Sequence, residues 1–245
     1  MRQAYQWLYR ELDRGRTRRS AIRMAGGAMK AVVKKAFKTY DGLVRFDREN
    51  CPQEHVVVGM DEVGRGPLAG PMVAACVRLP YPIPLLPFLR DSKKLSGEER
   101  EDLALRIERT AVIMGYGVVE AAEFGDELNL HHLTFLAMRR ALESAGIGGS
   151  VHLLVDGKFP LPDTALSQRA VIKGDDASLS IAAASVLAKV YRDRRMRDLH
   201  QLYPNYGFDQ HVGYGTQAHR EAILSYGPCP EHRKNFLTRI LTGAQ

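Results

Sequence analysis

Apolar and polar positions alternate between strand-like and helix-like spacing from about residue 56 onward. Short apolar runs predict five strands, at residues 56–61, 73–79, 112–119, 151–155 and 170–172. Longer stretches with apolar residues three or four apart predict amphipathic helices, at residues 98–110, 128–144, 179–202 and 216–225. Strands that alternate with helices are typical of a layered α/β domain.

The first 50 residues follow a different pattern. Their apolar residues have partial helical spacing, which predicts one or two helices, and Gly26-Gly27 interrupts it. We therefore divide the chain near residue 52, into an N-terminal extension of residues 1–52 and a main α/β domain of residues 53–245.

The net charge of +7 belongs to the N-terminal extension. Residues 1–50 hold 13 of the 35 Lys and Arg and 5 of the 28 Asp and Glu, so they carry +8 and the remainder carries −1. A basic segment of this kind is typical of binding to nucleic acid phosphates, and a merely solvated helical surface is the alternative.

The length of the apolar runs and the spacing of the cysteines indicate the cellular location of the protein. No run approaches the length of roughly 18 apolar residues that a membrane span needs, and the N-terminus has no apolar core of a signal peptide. Three widely spaced cysteines indicate neither a disulfide framework nor a zinc site. We expect a cytoplasmic protein without membrane contact, and a monomer.

Acidic residues follow three of the predicted strands. Asp61 and Glu62, Asp156, and Asp175 each come at or just past the C-terminal end of an apolar run. Those ends border the binding crevice of an open α/β sheet, and carboxylates gathered there favour Mg²⁺ or Mn²⁺. Two such ions can activate water and stabilise a leaving oxygen on phosphorus. The alternative for each acid alone is a helix cap or a turn.

A glycine-rich loop follows the first acidic pair. Gly64 and Gly66 flank Arg65 and can adopt positive φ, which lets a ligand approach the backbone closely. The loop lacks the Gly-Lys-Ser/Thr of a nucleotide P-loop and the spacing of a dinucleotide-binding loop. Its amides are suited to contact a phosphate or a sugar hydroxyl.

Six segments together resemble the ribonuclease HII family, in the family's order and across about residues 55–240. They are Asp61-Glu-Val-Gly-Arg-Gly-Pro-Leu-Ala-Gly-Pro71, Asp91-Ser-Lys-Lys-Leu95, Leu153-Leu-Val-Asp-Gly157, Lys173-Gly-Asp175, Ser180-Ile-Ala-Ala-Ala-Ser-Val-Leu-Ala-Lys-Val190 with Arg192-Asp193, and Gly213-Tyr-Gly-Thr216 with His219.

The resemblance implies an α/β protein of the RNase H-like fold: a five-stranded mixed sheet flanked by helices, with a helical C-terminal part, here preceded by the basic helical extension. It implies metal-dependent hydrolysis of the RNA strand in RNA–DNA hybrids and incision at single ribonucleotides embedded in duplex DNA, as in ribonucleotide excision repair. Two Mg²⁺ or Mn²⁺ ions are implied as cofactors.

The resemblance also assigns residues. It implies that Asp61, Glu62, Asp156 and Asp175 are the catalytic metal-site carboxylates. It implies that Gly64, Arg65 and Gly66 recognise the ribose 2′-OH and a neighbouring phosphate, and that Tyr214 packs on the sugar at the RNA-to-DNA junction. The 2′-OH is the group that distinguishes RNA from DNA locally.

The sequence departs from the family pattern at two positions. Val212 stands where the family usually has Lys, so one phosphate contact is in doubt, and a second acid, Asp176, adjoins Asp175. We expect Asp193 to form an ion pair with a nearby arginine.

Other polar residues of the matched segments leave two interpretations open. For His211, His219 and His232 we expect packing or phosphate contacts rather than catalysis. Lys93 and Lys94 either contact phosphate or are simply solvated. Tyr214 either packs on the sugar at the junction or is a buried aromatic residue of the core.

Two alternative functions stay open at this point. Ribonuclease HIII has a similar fold but usually carries Lys in the loop and lacks junction incision, so Arg65 argues against it. A non-catalytic nucleic-acid-binding protein is the other, and the four retained acids argue against that.

Overall fold

The computed structural model of the protein describes residues 2–125 and 129–242. Within these ranges five strands form one mixed sheet, β1 (Val56–Val63), β2 (Met72–Arg78), β3 (Ile113–Val119), β4 (Val151–Asp156) and β5 (Ser167–Val171). The strand order is β3-β2-β1-β4-β5. The pairs β1–β2 and β2–β3 are antiparallel, whereas β1–β4 and β4–β5 are parallel. The predicted five-stranded mixed sheet is confirmed.

Helices flank the sheet and fill both ends of the chain. In chain order they are α1 (Arg2–Asp13), α2 (Arg18–Met24), α3 (Gly27–Glu49), α4 (Gly97–Thr110), α5 (Leu130–Ala145), α6 (Gly174–Ala177), α7 (Leu179–Leu202), α8 (Phe208–His211), α9 (Gln217–Tyr226) and α10 (Lys234–Thr242). Short 3₁₀ segments span Leu89–Lys94, Ala121–Glu123 and Pro204–Tyr206. None of the helices in the described ranges combines the length and apolar content that crossing a membrane requires.

The packing of β2 on both faces explains why its sequence is a continuous apolar run. Val73, Ala75 and Val77 pack on the side of α7, whereas Met72 and Ala74 pack on the side of α5. Successive side chains of a strand point to opposite faces, so a strand covered on both faces is apolar at every position.

Helix α7 lies directly on β1, close to the predicted acids. A Cβ atom at Gly59 would lie 2.0 Å from the carbonyl carbon of Ser180, so only glycine fits there. The small residues at the start of α7, such as Ala183 and Ala184, are fully buried. The close approach fixes the height of α7 above the strand that carries Asp61.

The N-terminal extension packs on the rest of the molecule. It contains three helices, whereas the sequence predicts one or two, and the break between α2 and α3 falls at Ala25-Gly26, directly before Gly27. Tyr5, Leu8 and Phe37 are buried in the same cluster as residues of α4 and α7. The division at residue 52 stays a prediction about domains, but α1–α3 share a hydrophobic core with α4 and α7.

A buried carboxylate links α3 to the start of α7. Asp47 is 3% exposed and accepts hydrogen bonds from the Ser178 hydroxyl at 2.5 Å, the Ser180 amide at 2.9 Å and the Ser180 hydroxyl at 2.7 Å. Its charge is therefore satisfied by three neutral donors, although burial raises the pKa of Asp47.

Several bounds differ from the hydrophobic pattern. Strand β5 begins at Ser167 rather than at residue 170, because an edge strand with polar Gln168 and Arg169 shows little apolar alternation. The start predicted for α5, Leu128, lies outside the described residues. The short helices α6 and α8, and also α10, are not predicted from the pattern.

Candidate active site

Two adjacent parallel strands position the first acids. Met60 of β1 pairs with Val155 of β4, so Asp61 and Asp156 follow at the same edge of the sheet. Asp61 is 7% exposed, and its Oδ1 accepts a 2.8 Å hydrogen bond from the amide of Glu62. The strand-end positions read from the sequence therefore do converge.

The third acidic position, Asp175, lies in α6, which follows β5. The amide of Gly174 donates a 2.6 Å hydrogen bond to Oδ1 of Asp156, which brings the start of α6 against the end of β4. Asp61, Glu62, Asp156 and Asp175 then line one cavity of about 580 Å³. The neighbouring Asp176 instead pairs with Arg90 at 3.3 Å and is exposed. Asp175, rather than Asp176, is thus the acid on the cavity.

Burial and mutual repulsion act on these carboxylates. Burial, together with the charges of Glu62 and Asp156, raises the pKa of Asp61 well above its usual range. Burial also raises the pKa of Glu62 and of Asp156. A carboxylate with a raised pKa holds its charge at a cost, and a cation in the cavity would relieve that cost.

Basic side chains line the same cavity. Lys93 forms an ion pair with Asp175, and that contact is the largest cause of the raised pKa of Lys93. Lys189 pairs with Asp193 at 2.6 Å, one helical turn along α7. The prediction that Asp193 pairs with an arginine is therefore wrong, because the i, i+4 spacing on α7 places a lysine beside it. Arg100 and Lys173 complete the basic lining.

The donor set fits a hard divalent cation, because all four acids offer oxygen and none of the cavity's lining residues is Cys or His. Within the described ranges, no three His, Cys, Asp or Glu side chains already stand together as ligands of one ion. Closing the carboxylates onto an ion therefore requires side-chain rotation, starting with Asp175, which is held by Lys93.

The glycine loop leaves β1 directly after the acids. Gly64 has φ +93°, and a Cβ there would lie 2.6 Å from Nε of Arg192 and 2.7 Å from the carbonyl oxygen of Pro71. Gly66 has neither a positive φ nor a neighbour that a Cβ would strike. Of the two glycines expected to adopt positive φ, only Gly64 does so. Arg65 is partly exposed, and its Nη1 lies 3.5 Å from Oε1 of Glu62.

Two buried arginines donate hydrogen bonds to backbone carbonyl oxygens of this loop. Arg192 is fully buried and donates from Nε to the carbonyl oxygen of Pro71 at 2.8 Å, and from Nη2 to that of Ala69 at 3.2 Å. Its Nη1 donates to the carbonyl oxygen of Val212 at 2.9 Å. Burial lowers the pKa of Arg192 to about 10, so the guanidinium stays charged at neutral pH.

Arg233 is also fully buried and makes a matching set of contacts. Its Nε and Nη2 both donate to the carbonyl oxygen of Gly70, at 2.9 and 2.7 Å. Its Nη1 donates to the carbonyl oxygens of Pro67 at 3.0 Å and Arg65 at 3.2 Å. The loop that carries Arg65 is therefore shaped by two guanidinium groups that the sequence analysis missed.

Only part of this support could be read from the sequence. Arg192 lies in a matched segment, so the resemblance marks its position, although the charged residues that follow it do not show that it is buried. Arg233 has no comparable pattern around it, because its partners lie more than 160 residues away in the chain.

Tyr214 lies on a turn that touches the glycine loop. The carbonyl oxygen of Gly213 accepts hydrogen bonds from the amides of Leu68 at 2.8 Å and Ala69 at 3.3 Å. The Tyr214 side chain is 45% exposed, so it is not the core aromatic that was the alternative. Val212 precedes the turn with φ +44°, an uncommon conformation for a β-branched residue.

Two of the three C-terminal histidines are buried. His219 and His232 are 0% and 4% exposed, so they pack inside the molecule rather than contact phosphate. His211 is partly exposed and stacks on His219, with ring centroids 4.3 Å apart.

A family model for ribonuclease HII matches residues 58–241. A ribonuclease HII of Syntrophotalea carbinolica is 53% identical over 180 residues, which cover 74% of this chain and 84% of that protein. One of Geobacillus kaustophilus is 45% identical over 237 residues, 96% of this chain and 84% of that protein, so the similarity extends into the N-terminal helices. The crystal structure of ribonuclease H2 from Pyrococcus horikoshii is similar with a TM-score of 0.64, at 25% identity, covering 76% of this chain and 97% of that one.

Proposed function

The chain belongs to the ribonuclease HII family, and we propose on this premise that it incises duplex DNA at single embedded ribonucleotides. Membership of the family makes it a ribonuclease H, an enzyme that acts on RNA–DNA hybrids. The observation that carries the finer proposal is the direct contact between the Arg65 loop and the Tyr214 turn, through the Leu68 amide and the Gly213 carbonyl.

Asp61, Glu62, Asp156 and Asp175 hold the divalent cation, Mg²⁺ or Mn²⁺, with two ions engaged during hydrolysis. Bound cations supply the positive charge that stabilises the phosphate and the leaving oxygen in the transition state. The support for this assignment is the shared cavity, the oxygen-only donors and the raised pKa values of Asp61, Glu62 and Asp156.

Basic residues of the cavity orient the substrate phosphates. Lys93 pairs with Asp175 and lies on the cavity, so its ammonium group would be placed to pair with a phosphate oxygen if Asp175 bound a cation instead. Lys173 is exposed on the same cavity and adds a second positive charge. These contacts position the strand but carry no information about its sugars.

The glycine loop and the tyrosine read the sugars. The Gly64–Arg65 backbone lies beside the metal-site acids, where amide groups can reach the 2′-OH of a ribose at the cleaved phosphate. The exposed ring of Tyr214 packs on the next sugar and fits a deoxyribose, which lacks the hydroxyl. The two contacts together select a ribonucleotide followed by DNA.

We assign the enzyme to the cytoplasm and expect it to act as a monomer. Its substrates are RNA–DNA hybrid duplexes and DNA with embedded ribonucleotides, and incision at the latter opens ribonucleotide excision repair.

The test compares three substrates, each in Mg²⁺, Mn²⁺ or EDTA: a DNA duplex with one ribonucleotide, an all-DNA duplex, and a long RNA–DNA hybrid. We expect metal-dependent cleavage of the first and third. Cleavage of the hybrid alone would favour the ribonuclease HIII-like alternative, and binding without cleavage of any substrate would favour a non-catalytic protein.

A matched pair of variants tests the carboxylate assignment. Asp175→Asn removes an acid from the cavity, and we expect it to abolish cleavage. Asp176→Asn removes the adjacent acid, whose partner is Arg90, and we expect near wild-type turnover. Equal effects of the two substitutions would contradict the assignment of Asp175.

A further inference from the structure

The backbone of Tyr214 is held from the interior while its ring faces outward. The amide of Tyr214 donates to the carbonyl oxygen of His211 at 2.9 Å, and its carbonyl oxygen lies 2.9 Å from Nδ1 of His219. Because a carbonyl oxygen only accepts, Nδ1 of His219 carries the proton. The exposed ring is therefore aimed by a contact to a fully buried imidazole.

The contact between His219 and His232 determines which nitrogen of His232 carries the proton. Neutral His219, protonated at Nδ1, has a lone pair at Nε2, and Nε2 of His232 lies 3.1 Å from it. His232 must then donate from Nε2, which leaves its Nδ1 as an acceptor. The backbone amide of Cys229, a fixed donor, points at that Nδ1 from 3.0 Å, and the Cys229 thiol lies at 3.1 Å. The carbonyl oxygen of Cys229 lies farther away, at 3.3 Å, so the amide is the nearer partner and Nδ1 accepts.

These contacts agree on one arrangement of protons. Hydrogen bonds run from the Cys229 amide to His232, from His232 to His219, and from His219 to the Tyr214 carbonyl oxygen. Each ring carries one proton. A second proton on either ring would set two N–H groups against each other at 3.1 Å, or an N–H against the Cys229 amide.

The surroundings favour the uncharged rings. Burial lowers the pKa of His219 to about 4. Burial also lowers the pKa of His232. Both rings are consequently neutral at physiological pH, as the hydrogen-bonding pattern requires.

The ring of His211 braces the same turn from the other side. Its Nδ1 accepts from the amide of Gly213 at 3.2 Å, and its Nε2 donates to the carbonyl oxygen of Tyr206 at 2.7 Å. Since this ring stacks on His219 at an interplanar angle of 17°, the two rings support the Gly213-Tyr214 peptide together.

We propose that His219 and His232 are positioning residues for the ribonucleotide junction, which they serve by holding the Tyr214 turn through a chain of neutral imidazoles. The proposal rests on the junction role of Tyr214 given above. Neither ring contacts the metal-site acids, so their effect is on substrate selection and not on the chemical step.

A first experiment observes the protons directly. Nitrogen-15 NMR of uniformly labelled protein at pH 7 distinguishes the two neutral tautomers, and single His→Gln variants assign the eight histidines. We expect the uncommon Nδ1–H form for His219 and the Nε2–H form for His232. An Nε2–H form of His219, or a charged ring at either position, would overturn the chain.

A second experiment measures selection with matched variants. His219→Leu keeps the apolar volume but removes the donor, whereas His219→Asn places an amide nitrogen near the position of Nδ1. We expect His219→Leu to lower the ratio of cleavage at a single ribonucleotide to cleavage of a long hybrid by about tenfold, the loss of one positioning hydrogen bond. His219→Asn should retain most of the ratio.

The outcomes separate this inference from the proposed function. If Tyr214→Ala lowers the ratio but folded His219→Leu does not, the positioning role is wrong and the junction role of Tyr214 stands. If Tyr214→Ala leaves the ratio unchanged, the junction role itself fails. Should His219→Leu not fold, the NMR tautomers and the His219→Asn ratio still decide the proposal.

Discussion

The amide of Leu68 donates a 2.8 Å hydrogen bond to the carbonyl oxygen of Gly213, and this bond joins two loops that lie 145 residues apart in the chain. One loop carries Arg65, and the other carries Tyr214. Arg192 bridges the same two loops, since it reaches the carbonyl oxygens of Ala69 and Val212. A displacement of either loop is therefore transmitted to the other.

The contact between the loops predicts that Arg65 and Tyr214 act as one unit. We expect Arg65→Ala to lower cleavage at a single ribonucleotide by about 10- to 100-fold, the cost of losing a charged hydrogen bond, and to affect a long hybrid less, because a hybrid offers many registers. Tyr214→Ala should act in the same direction. The double variant should lose less than the product of the two single losses. Independent, multiplicative losses would separate the two residues.

Asp156→Asn separates the proposed metal site from duplex binding. Asn retains an oxygen for the Gly174 amide, so the connection between β4 and α6 persists, but it lacks the ligand charge. We expect no cleavage and duplex affinity within a few-fold of wild type, since the proposed duplex contacts of Lys93, Arg65 and Tyr214 do not involve this carboxylate. Turnover close to wild type would remove Asp156 from the metal site.

Removing one buried carboxyl charge should stabilise the metal-free protein. Because the pKa of Asp61 is raised in the folded state, its contribution to stability is present at acid pH and is lost as the pH rises through the raised value. Asp61→Asn mimics the protonated form, so we expect a higher Tm in EDTA at pH 7 and a smaller gain at pH 4. Added Mg²⁺ should raise the Tm of wild type but not of the variant. An Asp61→Asn variant that melts below wild type in EDTA at pH 7 would contradict this reasoning.

Val212 offers a test of a single phosphate contact. Val212→Lys restores the residue usual in the family and removes the β-branch, which is the part of the side chain that fits a left-handed backbone least well. Val212→Met is the matched control, because it also lacks the branch but adds no charge. We expect both variants to relieve strain, and only the lysine to steepen the slope of log K against log salt, by about 0.9. Equal slopes for the two variants would place position 212 away from the duplex.

The exposed face of α3 provides the test of the basic extension. Lys30, Lys34 and Lys38 recur every four residues along α3, and all three are exposed. Truncation of residues 1–50 is unsuitable, because it would strip the shared core and the partners of Ser178 and Ser180. If both lysines contact phosphate, Lys34→Gln with Lys38→Gln should flatten the salt slope by about 1.8 and leave turnover at saturating substrate unchanged.

The control for the lysine pair removes the same charge elsewhere. Arg2 pairs with Glu98 and Arg14 pairs with Glu11, so their substitution by Gln removes charges that are already compensated. We expect this control to keep the wild-type slope. An unchanged slope in the Lys34 and Lys38 variant would favour a merely solvated helix face.

The sequence predicts the parts of the site that obey local patterns. Asp61 and Asp156 end apolar strands, and the sequence shows both positions; they meet because β1 and β4 are adjacent and parallel. Asp193 could have been paired with Lys189 by the same logic, since the two are four residues apart on one helix.

The supporting contacts could not be predicted in this way. Arg233 donates to the carbonyl oxygen of Gly70 across 163 residues, and His219 meets His232 only because α9 and the segment after it fold back on each other. Backbone carbonyls carry no sequence identity, so a side chain that binds them leaves no pattern in its partner. The acids are readable for this reason, whereas the framework that aims Arg65 and Tyr214 is not.

The anchor of Asp47 also bears on how the chain acquires its fold during synthesis. Asp47 leaves the ribosome early, but its first partner, Ser178, lies 131 residues later. At about 5–20 residues per second that interval lasts roughly 7–26 s. Throughout it, the apolar faces of α1 and α3 have neither α7 nor the serines to dock against. The nascent extension therefore emerges as a set of amphipathic basic helices whose apolar faces stay partly uncovered until α7 has been made.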